Sequence, residues 1–190
     1  MNSFSLPSLK SSRLILTPPQ APFAQGVCDY HLRNQSHLQI WSPRVRKEFY
    51  THEFQYKKIE QERLQIQERR LIKFWIFKQH DLALQRAIGH IAFSNIVWGA
   101  FRSCFLGYSM DFQETGRGYM TEALQTAIEF VFEELHLHRI EANIMPTNQA
   151  SIRVVQKLNF EYEGRSPKYL KINGQWEDHL HYVIRNQALE

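Results

Sequence analysis

Long apolar runs are what this sequence most plainly lacks. No stretch approaches the roughly 20 consecutive apolar residues that cross a bilayer, so a membrane span is not expected. Cysteine is scarce, with only Cys28 and Cys104 in 190 residues. Their spacing fits no zinc motif. Cys28 falls in a predicted helix and Cys104 in a predicted strand, so both read as buried free thiols of a reducing cytosol. The leading stretch from Met1 to Pro7 shows no charged segment followed by an apolar core, which is not the pattern of a secretory signal. A cytoplasmic location is the resulting expectation. Charge of one sign is not in large excess: 23 Lys and Arg against 19 Asp and Glu leave +4. No basic stripe interleaved with aromatics occurs, so direct nucleic-acid reading is not expected.

What is present is core-forming material. Hydrophobic residues at 43% and aromatics at 13% argue for a packed domain rather than a disordered chain. The length suits one core, and no repeat or linker divides it, so a single domain over residues 1–190 is expected. Arg13 to Thr17 reads as a short strand closed by Pro18 and Pro19. Pro22 to Arg33 reads as a helix, and Thr51 to Arg70 as a long charged helix that is either a solvated face, a peptide groove or a lid. Strands follow over Leu71 to Phe77, Ala87 to Val97 and Arg102 to Met110, the last two joined by a hairpin at Trp98-Gly99-Ala100.

The period then changes from two to about 3.6. Met120, Leu124, Ala127, Ile128, Val131 and Leu135 mark an amphipathic helix. A strand over Arg139 to Ile144 stops before Pro146, and a helix runs from Asn148 to Leu158. Two strands, Phe160 to Ile172 and Gln175 to Ile184, are hinged at Asn173-Gly174. The order β-α-α-β-β-β-α-β-α-β-β predicts an α+β fold on a mostly antiparallel sheet flanked by helices.

One junction carries chemistry. Gln113-Glu114-Thr115-Gly116-Arg117-Gly118-Tyr119-Met120 sits where a strand ends and a long helix begins. Glycines let the backbone approach a ligand, and a helix N-terminus offers unpaired N–H groups and a partial positive charge to a pyrophosphate. Arg117 and Arg102 are candidates for full charges nearby. A dinucleotide fingerprint needs Gly or Ala three residues after Gly118, where Thr121 stands, and the preceding antiparallel strands do not suit that unit.

The pattern Gln113-x-x-Gly116-x-Gly118 resembles the acetyl-CoA loop of the GNAT superfamily of N-acetyltransferases. Three further stretches make the likeness closest to the RimJ/RimL branch, which acetylates ribosomal-protein N-termini. They are His138 to Asn143, Asn148 to Ser151 with Lys157 to Glu161, and Asn173 to His179. The resemblance implies the GNAT fold, with a splayed central strand pair. It implies acetyl-CoA as co-substrate without a metal, held by Met110, Gln113, Thr115, Gly116, Arg117, Gly118, Tyr119, Met120, Asn148 and Ser151. The strand over Leu106 to Asp111 would pair its backbone with the pantetheine arm.

Direct attack by an amine needs no nucleophilic side chain, and neither cysteine stands in a catalytic context. A related branch uses a tyrosine seven residues after the equivalent of Asn148; Val155 stands here, leaving Ser151 to meet the thiolate. The base of RimL-like enzymes, three residues before the Asn-Gly turn, is replaced by Leu170, so Glu141 and Asp178 are the substitutes. His179 and His181 share a strand face but have no third ligand for a metal. The acceptor suggested by the resemblance is a protein N-terminal α-amine, plausibly ribosomal, whose pKa near 8 leaves a neutral fraction. A small amine (polyamine, amino acid or drug) and a non-catalytic acetyl-CoA-binding module are the alternatives. A monomer or homodimer is expected.

Overall fold

Alternating side chains build the sheet, and its two faces are covered by different helices. The computed structural model describes residues 4–190; Met1 to Ser3 of the leading stretch lie outside the described residues. In chain order the strands are β1 (Leu9–Lys10), β2 (Leu14–Thr17), β3 (Ile72–Lys78), β4 (Gly89–Val97), β5 (Ser103–Met110), β6 (Arg139–Ile144), β7 (Glu161–Ile172) and β8 (Gln175–Arg185). The helices are α1 (Ala24–Arg33), α2 (Gln35–Gln39), α3 (His52–Gln67), α4 (Tyr119–Glu133) and α5 (Gln149–Lys157). The spatial order β1-β2-β3-β4-β5-β6-β8-β7 is antiparallel throughout except for β5 and β6, which are parallel. α4 makes the crossover between them, as a parallel pair requires.

The predicted elements are present, with two small additions: the two-residue β1 and the one-turn α2. Neither has enough residues for a periodic signal. Leu135 falls beyond the end of α4.

α4 buries Met120, Ala123, Leu124, Ala127, Ile128 and Val131, a stripe at three- and four-residue spacing. Together with Ile152 and Val155 of α5 they cover one sheet face, packing with Phe74, Ile91, Phe93, Leu106, Ile140 and Ala142. Each large apolar side chain sealed there contributes about 2 kcal/mol. α1 and α3 cover the opposite face around Phe23, Val27, Tyr30, Ile59, Trp75 and Phe77.

α3 explains its own charge-rich sequence. Its buried stripe is Gln55, Ile59, Glu62 and Ile66, half of it polar. Gln55 Nε2 donates to the Phe49 carbonyl at 2.6 Å, and Lys73 Nζ pairs with Glu62 at 2.5 Å. The rest faces water, and Thr51 caps the start by accepting from the Phe54 N–H. The solvated-helix reading fits, with a polar element in the buried stripe.

The first turn of α4 is tied to the β1–β2 connection through Glu122. Its carboxylate accepts from Ser11 Oγ (2.7 Å), Ser12 Oγ (2.9 Å), the Arg13 N–H (2.8 Å) and Arg13 Nε (2.6 Å). Partial burial alone would raise its pKa. The hydrogen bonds from Ser11 and Arg13 outweigh that and bring it to about 2. Because the folded value is depressed, its stabilising contribution is present above about 4.5 and is lost as pH falls toward 2. Glu122→Ala should therefore cost about 2 kcal/mol at pH 7 in urea unfolding, and less at pH 3. Equal losses at both pH values would contradict this role.

Candidate active site

The site begins where β5 and β6 part. Their parallel pairing runs from Ser103 opposite Arg139 to Leu106 opposite Ala142 and then ends. β5 continues to Met110 against β4 alone, and β6 continues to Ile144 against β8 alone. The edge of β5 that faces β6 therefore has no ladder partner from Gly107 onward, leaving backbone groups for a ligand. Gly107 is exposed in the middle of the sheet, and a Cβ built there would meet nothing within 4 Å. An extended ligand arm fits this gap.

At the end of β5 the chain turns toward α4. Asp111, fully buried, caps a 3-10 turn by accepting from the Gln113 N–H at 3.1 Å, and Arg33 Nε pairs with it at 2.6 Å. Asn34 Oδ1 accepts from the Phe112 N–H at 3.0 Å. Glu114 is shared by Lys78 at 2.7 Å and Arg117 at 3.5 Å. Gly116 and Gly118 follow with φ of +75° and +77°, a conformation that favours glycine, and Gly118 is the N-cap of α4.

The first helical bond of α4 joins the Glu122 N–H to the Gly118 carbonyl at 3.1 Å. The N–H groups of Tyr119, Met120 and Thr121 thus have no acceptor within the helix. A pyrophosphate suits such a cradle.

The structure brings most of the predicted cofactor residues together here. Met110 and Met120 send their side chains into the core, so each has only backbone to offer. Gln113 Oε1 accepts from Arg86 Nη2 at 2.8 Å, and Thr115 Oγ1 donates to the Phe112 carbonyl at 2.8 Å; both hold the turn's shape. Arg102 requires a correction. It precedes β5 at the end opposite the turn, where its carbonyl accepts from the His138 and Arg139 N–H groups. Roughly 25 Å of strand separates it from Met110.

Besides Arg117, Lys78 and Arg86, Arg13 stands at the turn, against the start of α4. Its Nη1 donates to the Arg117 carbonyl at 3.1 Å, its guanidinium lies 4.5 Å from the Tyr119 ring centre, and it pairs with Glu122 at 2.6 Å. About a hundred residues of sequence hide this neighbour.

The second wall of the gap is the start of α5. Asn148 caps it, its Oδ1 accepting from the Ser151 N–H at 3.1 Å, which leaves the side-chain amide without a protein acceptor among the described residues. The Ser151 hydroxyl likewise has no partner among the described residues. Its carbonyl accepts from Tyr108 Oη at 3.0 Å. Tyr108 thus reaches across the open gap from β5 to α5, and burial pushes its phenol pKa up, keeping it protonated. The sequence reading set the backbone of Leu106 to Asp111 along the arm but singled out neither Tyr108 nor Gly107. An isolated glycine within a strand was the available signal, since it marks close backbone approach.

The two predicted carboxylates part company. Ile140, Ala142 and Ile144 face α4 and α5, so alternation turns Glu141 to the opposite face, with Gly107 and Ser109. Arg139 Nη2 donates to Glu141 at 2.8 Å, and His181 Nδ1 lies 3.1 Å from it, while His181 Nε2 meets Ser166 Oγ at 2.7 Å. Asp178 instead belongs to the β7–β8 hairpin, bound by the Arg165 guanidinium and accepting from the Lys168 N–H at 2.8 Å. The Arg165 hydrogen bond holds its pKa below the ordinary carboxylate range, which weakens it as a base. Among the described residues no cluster of His, Cys, Asp or Glu is arranged to hold a metal ion, and no helix is long and apolar enough to cross a membrane.

On that opposite face lies a cleft of about 680 Å³. His90, Ala92, Gly107 and Ser109 form its floor, and the segment from Trp41 to Tyr50 forms an outer wall. No residue of α3 lines it; the long charged helix stands behind the wall, with Lys58 against Phe49. The β7–β8 turn braces the wall: the Asn173 N–H donates to the Ser42 carbonyl at 3.0 Å, and Arg44 Nε donates to the Asn173 carbonyl at 3.0 Å. Gly107 thus opens on the strand gap and on this cleft.

Comparison with known proteins agrees with this geometry. The chain is 37% identical over 174 residues to the [ribosomal protein uS5]-alanine N-acetyltransferase of Escherichia coli, covering 90% of this chain and 87% of that one. The crystal structure of a ribosomal-protein-S5-alanine acetyltransferase from Vibrio fischeri superposes with a TM-score of 0.91 at 29% identity, covering 97% of this chain and 100% of the other. Mycobacterium smegmatis RimJ, solved in complex with CoA-disulfide, gives 0.87 at 28% identity over 96% of this chain and 88% of its own. Residues 13–161 match the acetyltransferase (GNAT) domain, and the chain belongs to that family of acetyl-CoA-dependent N-acetyltransferases.

Proposed function

We propose that this acetyltransferase acts on the free N-terminal α-amine of a protein, with a ribosomal protein as the first candidate. The observation that carries the reading is the similarity to the uS5-alanine enzyme of Escherichia coli along nearly the whole chain. The wide cleft beside Gly107 supports it, being large for a lone amine and open enough for the first residues of a peptide.

In this reading the pyrophosphate of acetyl-CoA rests on the amides that follow Gly118, with Arg13 and Arg117 beside it. The pantetheine arm lies along the free edge of β5 and is also held by the Asn148 side-chain amide. The acetyl group reaches Gly107. The neutral amine enters from the cleft and attacks the thioester carbon; the C–N bond forms, the C–S bond breaks, and the thiolate leaves. Ser151 and Tyr108 offer hydroxyl groups beside the sulfur. Glu141, on the amine's side of the sheet, receives the proton, directly or through His181 or water. Asp178 shapes the hairpin.

Gly107→Leu projects a side chain into the cleft beside the gap, at a backbone conformation that tolerates one. Turnover should fall at least tenfold while the thermal midpoint stays within a few degrees; unchanged turnover would remove this end of the cleft from the mechanism. Glu141→Gln should lower kcat and alter the pH–rate profile, whereas Asp178→Asn should leave that profile in place. The reverse pattern would exchange their roles. The acceptor itself is tested by following free thiol release with N-terminal peptides, lysine peptides with blocked termini, and polyamines. Turnover confined to free N-termini is the expected result, and turnover on polyamines alone would overturn the proposal.

A further inference from the structure

The acceptor cleft is one-sided in charge. No carboxylate is among its lining residues, whereas Arg44 and Lys47 stand on its outer wall. Arg44 uses Nε to hold Asn173, and Lys47 makes no ion pair among the described residues. The nearest acid in sequence, Glu48, is exposed and does not line the cleft.

The floor side carries the same sign, Lys73 lying opposite Ala92 in the β3–β4 ladder. Behind it, Lys58 and Lys73 share one carboxylate, Glu62, at 4.0 and 2.5 Å. The Lys58 ammonium lies 5.0 Å from the ring centre of Phe49, which lines the cleft. Arg33, the remaining cation nearby, is offset by Asp111. Two histidines on the lining register this field. Burial, then the charges of Lys58, Lys73 and Arg33, bring His31 down to about 3. Burial and the Lys73 charge likewise push His90 well below its ordinary value. His90 is fixed in place by Ser109 Oγ, 2.9 Å from its Nδ1, and Ser109 meets Tyr30 Oη at 2.8 Å.

With cations on two sides and no carboxylate on its lining, Glu141 standing apart and paired with Arg139, the cleft favours a neutral nitrogen over an ammonium and repels any second positive charge on the acceptor. An acidic side chain entering with the amine would instead meet Arg44 and Lys47. We infer that the cleft selects its acceptor by charge, taking an amine followed by neutral or acidic groups and rejecting polyamines and amino termini followed by lysine or arginine. This deepens the N-terminal reading and rests on it for the peptide form of the acceptor.

The test compares kcat/KM for two peptides that share a free N-terminal alanine, one with glutamates and one with lysines at the third and fourth positions. Spermidine and an uncharged small amine are run alongside. The acidic peptide should be preferred at least tenfold, and the preference should shrink as salt is raised. Lys47→Glu, at a side chain with no hydrogen bond or ion pair among the described residues, should cut the ratio severalfold while leaving acetyl-CoA affinity unchanged by calorimetry. Arg44→Glu should act the same way, with the single change at Lys47 guarding against a displaced hairpin. Equal or better turnover of the lysine peptide, or a ratio unmoved by Lys47→Glu, would overturn the inference. Should small amines react and peptides not, the N-terminal reading fails by itself. The order of the uncharged amine over spermidine then decides the charge inference separately.

Discussion

Pairing between β5 and β6 ends after Leu106 and Ala142, and the site depends on that stop. A continuous ladder would satisfy the backbone of β5 on both edges and leave a flat sheet with helices on each side. Because the strands diverge, one edge of β5 is free, Gly107 is open to the gap and to the cleft, and the space between β5 and α5 can take a ligand. The parallel orientation matters equally. It places the C-terminal ends of both strands at the gap, so the chain leaving β5 arrives at once at the glycine turn and the start of α4.

Holding that turn open takes several buried charges. Asp111 with Arg33, and Glu114 with Lys78 and Arg117, fix the path between β5 and Gly116. Such pairs recover their desolvation cost only with good geometry, and apolar residues would serve stability as well. Their presence here is accounted for by position: they set where the amides after Gly118 point. Glu122 and Arg13 do the same from the other side of the helix start. The opposite sheet face uses charge differently, with Glu62 shared between two lysines behind the cleft wall.

The order of elements was legible in the sequence because most of them have clean periods. β4 and α4 carry alternation and helical spacing that tertiary packing reinforces, while β3 is a β-branched and aromatic run buried on both faces. β1 and α2 were not, being two and five residues long. The glycine turn was legible as a candidate phosphate site, and the resemblance implied acetyl-CoA as its ligand. Side-chain neighbourhoods were less accessible. Arg102 lay close to the turn by sequence and stands at the far end of β5. Arg13 lay far in sequence and stands beside it. Glu141 and Asp178 were equivalent as carboxylates, and strand alternation and the Arg165 pair separate them. The cleft beside Gly107 was invisible, since its wall is an irregular segment from Trp41 to Tyr50 without a periodic signal.

The most direct test of the central claim is amide hydrogen exchange with and without acetyl-CoA. The account predicts new protection at two places: those backbone N–H groups within residues 107–110 that point to the free edge of β5, and those of residues 116–121 at the start of α4. Amides of β7, far from the gap, should be unaffected. Protection elsewhere with none at these two segments would contradict the account, whatever the enzyme's activity.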